Sequence, residues 1–303
     1  MALGSYEIEL VIELKRRGYL DGNLSVVEIG AQQLTDGFLG AREKIEEAGR
    51  LFGAKTASPL PRPHGCATAD RRDLDEGAPY ARDFWTWLGF DYAAIDIDGA
   101  GIIRLDLNYE SIAPELVGKY KVVTNFGTTE HVANQLNAFK TIHDLAAPDG
   151  VMIHHLPMQG MLNHGLINYN PKFFWMLSRG NVYRTVHISV SIGTDYHELP
   201  QNIVDAVVAF DPGFIARSPG YHVADAALIV VMQKTIDAPY VAPIDVPDLP
   251  RADDNAFGRH YAPAFEPDGR PVQFEEMLHR VSGWRLQREL LRRYRRRITH
   301  WLG

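Results

Sequence analysis

Acidic and amide side chains recur where the apolar runs of this chain end. Glu28 lies in SVVEIG (25–30), Asp96 and Asp98 around YAAIDI (92–97), Asp106 at the end of GIIRLDL (101–107), and Asn125 at the end of YKVVTN (120–125). Carboxylates at such ends accept hydrogen bonds, which suits a ribose diol and an amino-substituted base. Gly30, directly after the first run, lets the backbone pass close to a ligand. Histidines form a second set. His131 follows Glu130 where the turn NFGTT hands over to a helical pattern, His154 and His155 are adjacent in GVMIHHL (150–156), and His164 stands in MQGMLNHGLINYNPKFFWML (158–177) with Asn168 and Tyr169. A neutral imidazole takes a proton well near neutral pH, so His164, His131 and His155 are candidate general bases. At a helix start a cation is disfavoured, which suits His131 as a base and equally as an inert packing residue. His154 and His155 point to opposite faces of a strand, so at most one meets a cleft. His154, His155 and His164 show no recognisable ligand spacing with a nearby carboxylate, and no metal is assigned. Asp96 and Asp98 compete for one role, because Asp98-Gly99 is also a good turn pair.

These residues need a scaffold that brings strand ends together. Short apolar runs at 25–30, 92–97, 101–107, 120–125, 150–156, 183–191 and 227–234 alternate with helical patterns, the signature of an α/β, doubly wound, mostly parallel sheet. Val132, Leu136, Phe139, Ile142 and Leu145 recur at helical spacing, predicting a helix from about Glu130, capped by Thr128 or Thr129 and ended by Ala147-Pro148-Asp149-Gly150. Ligands bind at the carboxyl ends of such strands, where the listed side chains fall. More than sixty residues separate the first two runs, so an insertion is expected near 38–90. A linker, YAPAFEPDGRP, precedes a C-terminal helical tail, which divides the chain into a domain at 1–250 and an extension at 251–303.

Composition limits the setting. With 46% hydrophobic and 23% charged residues, the chain is of globular type. One cysteine, Cys66, excludes an intramolecular disulfide and a multi-thiolate metal site, and a cytoplasmic location is expected. A formal charge of −7 argues against a whole-chain nucleic-acid binder and for a small-molecule partner. The tail WRLQRELLRRYRRRITHWLG (284–303) gathers seven arginines among apolar residues, which suits a solvated helix, an acidic partner or peripheral contact with an anionic membrane.

VVEIGAQ, IDID, RLDLN and VVTNFGTTEHVANQLNAFKTIHDLAAPDGVMIHHLP resemble, in order and spacing, the successive motifs of class I S-adenosylmethionine-dependent methyltransferases. The resemblance covers 120–157 well and 25–234 loosely. It implies a Rossmann-like sheet of seven strands whose last hairpin, 183–191 with 227–234, is antiparallel to the rest, and in the simplest form an antiparallel last strand. It implies S-adenosylmethionine as cofactor, with contacts from Glu28, Gly30, Gln32, Asp96 or Asp98, Asp106, Leu107, Asn125 and Phe126. By that likeness Gly30 approaches the methionine part, Asp96 holds the ribose hydroxyls, Asp106 and Leu107 flank adenine, and Asn125 and Phe126 lie beside the methyl. The turn GAQQLTDG holds fewer glycines than the family's usual turn, and the first crossover is longer than usual.

The expected activity is methyl transfer to a small polar acceptor, with a hydroxyl of a sugar or related metabolite favoured, since NFGT lacks the proline and aromatic pattern of methyltransferases acting on nucleobase amino groups. Asn168 and Tyr169 are the expected substrate contacts. A non-catalytic cofactor-binding module is the second reading. A nicotinamide oxidoreductase is third, because the first turn lacks G-x-G-x-x-G.

Overall fold

The computed structural model describes residues 3–62, 78–97, 103–161, 164–192, 195–197 and 226–244. Asp98, the C-terminal tail at 251–303 and part of the expected insertion lie outside the described residues. The rest of that insertion, 38–62 and 78–90, carries most of α2 and all of α3 and α4.

Helix α1 (Ser5–Arg16) precedes strand β1 (Ser25–Ile29), and helices α2 (Asp36–Gly40), α3 (Arg42–Phe52) and α4 (Arg82–Trp87) lead to β2 (Asp91–Asp96) and β3 (Ile103–Arg104). Strand β4 (Tyr120–Phe126), helix α5 (Gln135–Leu145), β5 (Ala146–Gln159), helix α6 (Pro171–Asn181), β6 (Arg184–Ile192), β7 (Asp195–His197) and β8 (Ala226–Gln233) follow. The sheet order is β3-β2-β1-β4-β5-β8-β6-β7. Strand β8 runs antiparallel to both β5 and β6, so β6 is parallel to β1–β5. Of the expected hairpin only β8 is therefore reversed, and three-residue β7, antiparallel to β6, adds an eighth strand at the edge.

Period-two alternation gives the sheet two apolar faces. Val27, Val123, Met152 and Val230 pack beneath Phe139 and Ile142 of α5 and Phe174 and Leu177 of α6. Val26, Val122, Phe126, Ile153 and Val231 pack beneath Ile8 and Val11 of α1, Ile45 of α3 and Trp85 of α4. Both faces of the strands are covered, which is why they read as nearly continuous apolar runs.

Three local expectations change. The third run, expected over 101–107, yields only the two residues of β3 within the described chain, and Asp106 and Leu107 fall in the turn beyond it. Helix α5 begins at Gln135, capped by the Asn134 side chain, which accepts from Asn137 N. A separate 3-10 turn, Thr129–His131, precedes it; Thr128 stands at its N-cap without a side-chain cap bond and Thr129 lies within it, so neither caps α5, and Leu136 is 59% exposed. Strand β5 starts at Ala146, four residues earlier than expected. Its register against β4 shifts between Tyr120 and Val122, and Asp149 there takes the left-handed conformation at φ 61°.

Candidate active site

At the carboxyl end of β1 the chain turns at Gly30, whose φ of 77° suits glycine. A Cβ there would lie 2.3 Å from Thr128 Oγ1, and that hydroxyl donates to the Ile29 carbonyl at 2.6 Å. Thr128 therefore locks the turn after β1 against the turn after β4. Glu28 is fully buried. Its carboxylate accepts from Gln32 N at 2.9 Å, Trp85 Nε1 at 3.0 Å and the Tyr92 hydroxyl at 2.8 Å. Burial pushes its pKa up to about 7, and these three donors pull it back. Glu28 thus shapes the turn from beneath rather than reaching a ligand. Gln32 folds back over the turn and donates Nε2 to the Gly30 carbonyl at 2.9 Å.

Asp96, half-buried at the end of β2, completes that turn. Its Oδ2 accepts from Ala31 N at 3.0 Å and its Oδ1 from Ile97 N at 2.8 Å. Beyond β3, Asp106 Oδ1 accepts from Asn108 N at 2.8 Å, and Leu107 is buried. Asn108 Oδ1 accepts from both Ala133 N and Asn134 N at 3.1 Å, joining this loop to the segment after β4. Four loops thus converge at one edge of the sheet.

After β4, buried Asn125 spends its side chain inside the protein. Its Nδ2 donates to Thr129 Oγ1 at 2.9 Å and lies 3.2 Å from His154 Nδ1. The Tyr169 hydroxyl lies 2.9 Å from Thr129 Oγ1 and donates to Gln135 Oε1 at 2.6 Å. These bonds fix the 3-10 turn that carries Glu130 and His131. The loop after β5 closes onto the same turn: Leu166 N and Ile167 N donate to the Glu130 carbonyl at 2.8 and 3.1 Å. Gly165 permits this approach, since a Cβ there would sit 2.8 Å from Glu130 Cγ. His164 is delivered opposite His131, with ring centroids 5.7 Å apart.

Between the two rings lies Glu130, 0% exposed, with no hydrogen-bond donor among the described residues to either carboxylate oxygen. His164 Nε2 is 3.4 Å and His131 Nε2 3.9 Å from Glu130 Oε1. Burial holds the Glu130 pKa above the ordinary carboxylate range and the His131 pKa below that of a free histidine. The imidazole side chains keep 52% (His131) and 34% (His164) exposure, so the cluster opens to solvent on one side.

Two expected site residues lie elsewhere. His155 points to the opposite face of the sheet, where Nδ1 meets buried Glu7 Oε1 at 2.7 Å. Burial opposes the Glu7 charge, but the His155 hydrogen bond and charge outweigh it and hold its pKa below the ordinary value. Phe126 is buried beneath α1 and α4, among the core side chains of that face. His154, on the other face from His155, is fully buried, and burial pushes its pKa down to about 3. Asn168 is exposed, whereas Tyr169 is buried beside Phe139 and Phe174. Glu130 was assigned no role from sequence. Its signal was its place beside His131 in the first turn after a strand.

A family model described as a methyltransferase domain matches residues 65–202. A search of curated proteins finds no match. Among solved structures, this chain is similar to the Burkholderia thailandensis 1,6-didemethyltoxoflavin-N1-methyltransferase, at 10% identity and TM-score 0.39, over 76% of this chain and 78% of that one. A SAM-dependent methyltransferase from Archaeoglobus fulgidus aligns at 11% identity and TM-score 0.35, over 75% and 94%. The citrinin polyketide synthase CMeT domain aligns at 11% and 0.36, over 71% of this chain but 47% of that one, so the chain spans about half the length of that relative. No helix among the described residues is long and apolar enough to cross a membrane.

Proposed function

We propose that this protein transfers a methyl group from S-adenosylmethionine to a hydroxyl of a small polar acceptor, such as a sugar or related metabolite. The observation that carries this reading is Asp96, half-buried at the carboxyl end of β2 and holding the Gly30-Ala31 turn through Ala31 N. Each Asp96 oxygen accepts one backbone N–H and keeps lone pairs for a ribose diol, so the donor set fits the cofactor. Asp106 and Leu107, in the turn beyond β3 at the same edge, are the proposed adenine contacts. At the proposed methionine end, Gln32 donates to the Gly30 carbonyl.

The cofactor, when bound, supplies an electrophilic methyl on a sulfonium. The chain's own task is to align the acceptor, and proximity and orientation supply about 7–11 kcal/mol of a barrier. Thr128, bonded to Ile29, puts the turn bearing Glu130, His131 and the facing His164 next to the turn after β1. A hydroxyl brought there loses its proton to a neutral imidazole of His164 or His131. The lowered pKa of His131 keeps that ring neutral and ready to accept. The exposed edges of the two rings face the approach, and exposed Asn168 is the proposed substrate contact from the same loop.

Single-turnover rates test this. His164→Gln and His131→Gln are expected to lower methyl transfer by about 10²–10⁴-fold while leaving S-adenosylhomocysteine affinity nearly unchanged. Near-wild-type rates in both variants sink the proton-acceptor role. Cofactor binding with no transfer to any hydroxylated acceptor favours the non-catalytic module instead.

A further inference from the structure

We propose that Glu130, His131 and His164 form a binding site for one divalent transition-metal ion of the zinc or cobalt type. One ligand atom from each residue lies within 4.8 Å of the other two. Around a tetrahedral zinc with bonds of 2.0–2.1 Å, ligand atoms stand about 3.3 Å apart. The Glu130-to-His164 separation of 3.4 Å already meets that spacing, and the 3.9 Å to His131 closes with a small rotation of an exposed ring.

The carboxylate gives the independent reason. A fully buried acid without a single hydrogen-bond donor is costly to keep ionised, and a cation between two imidazoles offsets that cost. Compare Glu28, equally buried, whose oxygens meet three donors. Among the described residues no donor reaches either Glu130 oxygen, and the two imidazole nitrogens of His131 and His164 stand nearest to it in ion-pair range. Two imidazoles and one carboxylate, with no thiolate, select zinc, cobalt, nickel, manganese or ferrous iron over the hard oxygen-seeking calcium and magnesium. Three protein ligands leave a coordination position open on the solvent side, as in catalytic rather than structural sites. The supports are also in place, because the 3-10 turn is pinned by Asn125 and Tyr169 through Thr129, and the His164 loop by two backbone bonds to the Glu130 carbonyl.

This inference rests on the methyl-transfer reading and changes its proton step: with both Nε2 atoms on the ion, an acceptor hydroxyl in the open position would be acidified by the ion rather than lose its proton to a free imidazole. Its test does not pass through activity. Full-length protein stripped with chelator is titrated with Co²⁺ and followed by visible absorption, then challenged with Zn²⁺. One equivalent of Co²⁺ is expected to give ligand-field bands that Zn²⁺ displaces. His131→Gln and His164→Gln, both at exposed positions that tolerate change, are each expected to weaken binding by at least about 100-fold, more than the usual effect of altering a ligand's own partners. The chain holds 12 histidines, so the double variant is the control for binding elsewhere. Wild-type protein that binds no Co²⁺, or a double variant that binds it as tightly and with the same spectrum, overturns the site. Co²⁺ binding without methyl transfer leaves the metal site standing and removes the methyl-transfer reading. Transfer by chelator-stripped protein that takes up no Co²⁺ does the reverse.

Discussion

Glu28 and Glu130 occupy equivalent places, one within β1 near its carboxyl end and one in the turn after β4, and both are 0% exposed. Their surroundings differ completely. Glu28 lies on the face covered by α1 to α4, where Trp85, Tyr92 and Gln32 supply donors from three segments. Glu130 faces two half-open imidazoles and receives no donor. A buried carboxylate with satisfied lone pairs is part of the scaffold, and one left unsatisfied toward an opening is available for a ligand. The first holds the turn proposed to meet the cofactor. The second faces the space where the acceptor and an ion would sit.

The contrast sharpens first through pH. Burial raises the Glu28 pKa from 4.5 to about 7 in the folded protein. A raised folded pKa means that the native state holds the proton more tightly than the unfolded chain. The Glu28 contribution to stability is therefore fully present below pH 4.5 and is lost as pH rises through about 7. The shift corresponds to about 3 kcal/mol. Urea unfolding of wild type and Glu28→Gln across pH 4.5 to 8 should show the variant gaining on wild type by that order as pH rises. A difference that stays flat with pH would remove the buried-carboxylate account of this turn.

Smaller effects separate the two acids by their donors. Trp85→Phe leaves Glu28 Oε1 without its indole partner and is expected to cost about 1–3 kcal/mol, the usual penalty of an orphaned buried acceptor. Glu130→Gln, in metal-free protein, removes a charge that nothing hydrogen-bonds, so no loss of stability is expected, and a gain of up to about 1 kcal/mol is consistent with the cost of an unpaired buried charge. Chemical denaturation of both variants measures the pair. Equal losses in the two would erase the distinction.

Much of this scaffold was legible in the sequence, because apolar runs and helical spacing report burial directly. The order of acidic residues at strand ends was legible for the same reason: each closes a run. Adjacent His154 and His155 had to part, but which face each took depended on Glu7 and Asn125, 148 and 29 residues away. The start of α5 was misread because Val132 continues the apolar spacing, while its backbone is extended at ψ 125° and Asn134 caps the helix that follows. The donors to Glu28 come from residues up to 64 positions away and left no local mark. The Glu130 cluster was hidden in the same way. His164 reaches it only because Gly165 allows two backbone bonds across 36 and 37 residues to the Glu130 carbonyl, which spacing along the chain does not reveal.

The central claim is that the edge formed by the ends of β1, β2 and β3 is a cofactor site for S-adenosylmethionine chemistry, and thermal unfolding with ligands tests it most directly. S-adenosylhomocysteine at about 100 times its dissociation constant is expected to stabilise the protein by about 2.7 kcal/mol, with NAD giving no shift. Asp96→Ala should weaken that binding by about 1.5–3 kcal/mol, the scale of hydrogen bonds to a charged group. A midpoint raised by NAD and unmoved by S-adenosylhomocysteine would contradict the account.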